Sequence, residues 1–175
     1  MINLDETFMQ EAIRQAKKAA EIDEVPIGAV VAYENKIIAR SYNQVEMLKD
    51  PTAHAEMIAV TAATNYLSSK WLQECTLYVT IEPCSMCAGA LVLARLGRVC
   101  FGAEDPKAGA CGSVLNIAHH KGLNHRLDVQ GGILTPQCSA LMSEFFKKKR
   151  KINTVLKKRN IDKFMEEFKG ESTKL

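Results

Sequence analysis

A length of 175 residues, 47% of them hydrophobic and 25% charged, suits one globular domain with a real core. No apolar run is long enough to cross a bilayer, and a net charge of +3 is too small to announce a nucleic-acid binder by itself. Six cysteines, in a chain whose opening Met1–Glu6 has neither a basic leader nor an apolar core, point to reduced thiols in the cytoplasm.

Phe8, Ala12, Ala16 and Ala20 recur at helical spacing and predict a first helix over Asp5–Glu21. Pro26 and Gly28 end it. Two apolar runs follow, Ile27–Tyr33 and Lys36–Tyr42, and Glu34-Asn35 between them predicts a hairpin turn. Asp50-Pro51-Thr52 precedes an alanine-rich helix through Ala63, with Thr52 as its expected N-cap. Thr76–Ile81 is the clearest strand, being β-branched and aromatic. Pro83 stops it and starts a helix over Cys84–Leu96. Arg98–Gly102 reads as a strand, Ser113–His120 as a helix and Leu127–Gln130 as a short strand. A last helix runs from Pro136 to about Arg159 and becomes very basic at Lys147–Lys151 and Lys157–Arg159. Strands alternating with helices indicate a layered α/β domain. It is expected over residues 1–160, with 161–175 as a partly disordered extension frayed at Gly170–Leu175.

Chemistry concentrates in His54-Ala55-Glu56 and in Pro83-Cys84-Ser85-Met86-Cys87. A lone C-x-x-C is a weak signal. Joined to H-x-E upstream and to a proline before its first cysteine, it is specific. His54, Cys84 and Cys87 then form a nitrogen-plus-sulfur set suited to Zn²⁺, and Cys84 at a helix start favours a thiolate. Three protein ligands leave a coordination position for water, and a fourth would close it. Two thiolates largely offset the ion's charge, so proton removal needs help, and Glu56 is the carboxylate placed to give it. Cys75, Cys100 and Cys138 read as small buried hydrophobes, and Cys111 is given no role.

Longer matching stretches surround these residues: Glu24–Val30, Asn43, Asp50–Glu56, Thr76–Ala90, Phe101–Ala103, Gly112-Ser113, Asn124-His125 and Phe145-Phe146. On them the chain, from about Asp5 to Arg150, resembles the bacterial tRNA-specific adenosine deaminases of the cytidine-deaminase-like superfamily. The resemblance implies a three-layer α/β fold with a five-stranded mixed sheet flanked by helices, one Zn²⁺ per subunit and a homodimer. It implies hydrolytic conversion of adenosine to inosine at the wobble position of a tRNA anticodon stem-loop. Metal ligation passes to His54, Cys84 and Cys87, and the catalytic proton shuttle to Glu56. Substrate binding passes to Asn43 and Ala55, and RNA contact to Asp105, Lys107, Lys149 and Arg150. An amide such as Asn43 offers a purine edge both a donor and an acceptor.

Two other functions compete. A deaminase of a free nucleobase or nucleoside, such as guanine or cytosine, shares the zinc chemistry and needs no basic helix. A zinc-stapled RNA-binding module would recruit a fourth ligand from His119, His120 or His125, and would have no use for Glu56.

Overall fold

A computed structural model describes the backbone of residues 3–171 and the side chains of residues 3–156. The expected fraying at Gly170–Leu175 therefore falls largely outside the described residues, as do the side chains of Lys157-Lys158-Arg159. The chain forms two compact units, Met1–Met142 and Ser143–Leu175.

In chain order the elements are α1 (Leu4–Glu21), β1 (Gly28–Tyr33), β2 (Lys36–Tyr42), α2 (Val45–Leu48), α3 (Ala55–Leu67), β3 (Cys75–Ile81), α4 (Ser85–Leu93), β4 (Arg98–Ala103), β5 (Asp128–Gln130) and α5 (Thr135–Glu171). The five strands make one sheet in the order β2-β1-β3-β4-β5. β1 is antiparallel to β2 and β3, whereas β4 is parallel to β3 and β5. The sheet is thus mixed, as the resemblance implies. The β1–β2 hairpin turns on Glu34 and Asn35, both at positive φ (48° and 58°), the backbone of a two-residue type I′ loop.

Strand side chains alternate between two apolar layers. Ala29, Val31, Leu77, Val79, Val99 and Phe101 face the layer that includes α3 and α4. Val30, Ala32, Tyr78 and Cys100 face α1 and the first turns of α5. Alanines at Ala55, Ala59 and Ala63 let α3 lie close on the sheet, and all three are fully buried. A Cβ at Gly28 would overlap the backbone of Ala12 and Ala16, so glycine there allows α1 to touch β1. Asp5 ties α1 to the strands. It pairs both carboxylate oxygens with Arg98 (3.0 and 2.9 Å) and accepts from the Tyr78 hydroxyl (2.6 Å).

Three expectations need correction. Thr52 does not cap α3, because the helix starts only at Ala55; Thr52 instead donates its N–H (2.8 Å) and its hydroxyl (2.7 Å) to Asp50 Oδ1 in a local turn. The N-cap is His54, two residues later. α4 ends at Leu93 instead of Leu96, the chain turning at Arg95 in a left-handed conformation. Ser113–His120 is not a helix. Cys111 pairs with Asn116 in an isolated bridge, and Gly112 takes a φ of 146° that side chains resist. Nothing in the sequence marked the one-turn helix α2.

Candidate active site

Two helix starts carry the metal-ligand set. His54 occupies the N-cap of α3 with an extended backbone and makes no side-chain capping bond, so its ring is free for another task. Cys84 occupies the N-cap of α4, immediately after the proline that ends β3, and Cys87 lies in the first turn. His54 Nδ1 stands 3.7 Å from Cys84 Sγ and 3.5 Å from Cys87 Sγ. One ligand atom from each residue lies within 4.8 Å of the other two.

The three groups share protons closely. Hydrogen bonds from Cys87 and His54 bring the Cys84 thiol down to about 3. Cys87 is pushed strongly upward by the same pairing with Cys84 and by burial. The bond to Cys84 raises His54. A divalent ion would displace the shared protons and leave two thiolates and one neutral imidazole.

Glu56, in the first turn of α3, is 2% exposed. Burial raises its pKa. Its Oε2 is the buried side-chain oxygen or nitrogen without a hydrogen-bond partner among the described residues. A buried carboxylate oxygen left unpaired is costly, and it marks a place where a water or substrate proton belongs. The donor set and this orphaned oxygen fit a catalytic zinc centre: two sulfurs and a nitrogen for the ion, and a separate carboxylate for protons.

The histidines considered as a fourth ligand are occupied or elsewhere. His125 Nε2 lies 2.6 Å from the Leu96 carbonyl, and His120 Nδ1 accepts from the Gly122 N–H. Among the described residues the metal-ligand group contains His54, Cys84 and Cys87 alone.

Asn43 follows β2 and is 4% exposed. Its Nδ2 donates to Glu24 Oε2 (3.0 Å), while Glu24 Oε1 accepts from the Met47 N–H (2.7 Å). Two contacts bring this strand end against the start of α3: Gln44 N–H to the Ala53 carbonyl (3.0 Å) and the Ser41 hydroxyl to the Ala55 carbonyl (2.6 Å). The Ala55 methyl lies in the core, so only its backbone can face a ligand. Asp105 is half-buried and caps its own turn, its Oδ1 accepting from the Lys107 and Ala108 N–H groups (2.9 and 3.2 Å). Lys107 is exposed. Lys149 and Arg150 belong to the second unit, where Lys149 Nζ sits 5.5 Å from the Phe145 ring centre and Arg150 is exposed.

Two buried carboxylates escaped the sequence reasoning. Glu24 holds Asn43. Glu82, 1% exposed at the end of β3, accepts from Asp105, Cys111 and Ser113. Burial opposes its charge, yet these bonds hold its carboxyl below the usual range. The available signal was a charged residue closing an otherwise apolar strand.

A mixed five-stranded sheet presenting a His-Cys-Cys cluster and an unliganded glutamate defines a hydrolytic deaminase. The MafB19-like deaminase family model matches residues 3–150. A tRNA-specific adenosine deaminase from Bacillus subtilis is 47% identical over 147 residues, 84% of this chain and 91% of that protein. The enzyme of that description from Aquifex aeolicus is 50% identical over 145 residues, 83% of this chain and 95% of its own. A solved structure from studies of A-to-I editing by tRNA:A34 deaminases at the wobble position of transfer RNA superposes with a TM-score of 0.75 at 41% identity. It covers 77% of this chain and 98% of that one. The chain belongs to the family of tRNA-specific adenosine deaminases.

Proposed function

We propose that the chain replaces the amine of adenosine with oxygen at the wobble position of a tRNA anticodon, releasing inosine and ammonia. The observation that carries this is the meeting of His54, Cys84 and Cys87 beside a buried Glu56 with one unpaired oxygen. Relatives at 47% and 50% identity named for this activity support the substrate.

In this scheme His54, Cys84 and Cys87 would hold one Zn²⁺ per subunit. Zinc so held would lower the pKa of a water molecule and make it a nucleophile at neutral pH. Glu56 takes a proton from the attacking water and delivers it to a purine ring nitrogen. The same carboxyl then takes the second proton, from the hydroxyl now on the amine-bearing carbon, and gives it to the departing amine; the C–N bond breaks, ammonia leaves and the carbon–oxygen bond becomes a carbonyl. A raised pKa suits a group that must both accept and donate within one turnover. Asn43, its amide oriented by Glu24, presents the rest of its hydrogen-bonding capacity to the purine edge. Ala55 offers its backbone N–H at the start of α3.

A stacked base cannot enter such a site, so the anticodon nucleotide must be splayed out of its loop. Asp105 shapes the turn that presents Lys107, and Lys149 and Arg150 supply further charge for phosphates. α4 turns an uncommitted face outward. Leu93 is 78% exposed, and a Cβ at Gly89 would meet nothing within 4 Å. We assign that face to the homodimer. The free cysteines of the described residues support a reducing compartment, the cytoplasm. No helix of the described residues is long and apolar enough to cross a membrane.

The test is incubation of the metal-loaded protein with bulk bacterial tRNA, followed by sequencing for A-to-I change. Conversion confined to wobble adenosines is expected. Unchanged tRNA beside turnover of free guanine or cytosine would move the chain to the nucleobase deaminases.

A further inference from the structure

Glu82 is the buried carboxylate that the proposed chemistry leaves unused. It stands two residues before Cys84, and the side-chain bonds it accepts come from one loop. Oε1 receives the Cys111 N–H (2.9 Å) and the Ser113 N–H (3.1 Å). Oε2 receives the Asp105 N–H (3.2 Å) and, by a very short bond, the Ser113 hydroxyl. Both ends of a nine-residue loop, 105–113, are thus fastened to one side chain. Its middle is stitched to the neighbouring turn: Ala110 N–H donates to the Pro83 carbonyl (2.9 Å), and Gly109 pairs with Cys84. A Cβ at Gly109 would collide with Glu82 Oε2, so the loop closes on the carboxylate with no room to spare.

The geometry points to Glu82 as a positioning residue for RNA. It clasps the 105–113 loop onto the Cys84 turn and so sets where Lys107 stands relative to the metal ligands. The inference rests on the tRNA reading above and goes beyond it, because neither catalysis nor metal ligation involves Glu82. Its physical basis is preorganisation. A loop ordered before RNA arrives loses less freedom on binding, so the clasp acts on affinity for the structured substrate. Only a carboxylate satisfies the donor set, since all four groups donate and each oxygen takes two. The amide of glutamine cannot. With its nitrogen at the Oε2 position, the Ser113 hydroxyl can rotate to accept, but the Asp105 N–H loses its partner. The reverse orientation strands both Cys111 and Ser113.

The experiment compares wild-type protein, Glu82→Gln and Ser113→Ala, all zinc-loaded, on an anticodon stem-loop. It adds amide hydrogen exchange on the RNA-free proteins. Expected for Glu82→Gln is a KM raised about tenfold, the worth of one buried hydrogen bond, with kcat changed far less. Zinc should stay at one per chain, and exchange should quicken at residues 105–113 and not across the sheet. Ser113→Ala, which loses one donor and leaves three, should shift KM the same way by about threefold. It decides the matter if the glutamine variant does not fold. Unchanged KM and unchanged loop exchange would overturn the proposal, as would loss confined to kcat or to zinc content. Wild-type protein inert on the stem-loop would indict the tRNA reading instead, and the exchange data would still test the clasp.

Discussion

Glu56→Gln separates binding from chemistry. The substitution keeps size and shape at a site 2% exposed to solvent. It removes the ability to carry a proton, costs Oε2 no protein partner, and puts an amide where the carboxylate bonds to Cys87. Folding should therefore be unharmed. A neutral amide also avoids the burial penalty that raises the Glu56 pKa, so the metal-free variant should melt no lower than wild type at neutral pH. Catalysis should suffer heavily. A general acid–base group contributes about 10²–10⁴ in rate. Here one carboxylate serves both directions of transfer, which puts the loss at the upper end, about 10⁴, or about 5 kcal/mol of barrier. The assay is single-turnover inosine formation on an anticodon stem-loop, with zinc content and RNA affinity measured on the same samples. Full zinc, native affinity and a rate down by orders of magnitude are expected. A rate within about tenfold of wild type would refute the proton-shuttle role, since tenfold is less than the weakest general acid–base contribution.

Asp5→Asn should cost about 1 kcal/mol, the scale of a well-formed but partly exposed ion pair. The Arg98 hydrogen bond lowers the Asp5 pKa in the folded chain, so its stabilisation is present above the unfolded-state pKa and lost as pH falls through the folded one. The melting-temperature gap between wild type and variant should accordingly close in acid; a gap constant across pH would contradict the ion-pair account. Lys149→Ala with Arg150→Ala should weaken tRNA binding and flatten its salt dependence by up to about 1.4 in the log–log slope, if both touch single-stranded phosphates. Titrations at several salt concentrations measure it, and an unchanged slope would remove this part of α5 from the RNA-binding surface.

The site was legible where its chemistry is local. His54 and Glu56 are two apart and Cys84 and Cys87 three apart, and each pair opens a helix, so short spacing already placed each pair on one helix end. The Glu34-Asn35 hairpin was legible for the same reason: a two-residue turn with an asparagine, both residues at positive φ, sits directly between two apolar runs. Residues 104–125 were not legible. Ser113–His120 has helix-like composition, but hydrogen bonds to Glu82, a residue 31 positions before Ser113, fold its beginning into turns. No local pattern reports a partner that distant. Thr52 failed as a cap because a local turn, in which it donates its N–H and hydroxyl to Asp50, sets it two residues before the N-cap His54. Glu24 was invisible for a related reason, since its value lies in holding Asn43, 19 residues away.

The claim on which the rest depends is a metal held by three protein side chains with one position open to solvent. Zinc-edge X-ray absorption on the purified protein, with metal analysis of the same sample, measures it directly. One zinc per chain with two sulfur and one imidazole neighbours, plus a light atom displaced by a substrate-like inhibitor, is the expected result. A fourth protein ligand, or a folded chain that binds no zinc, would contradict it.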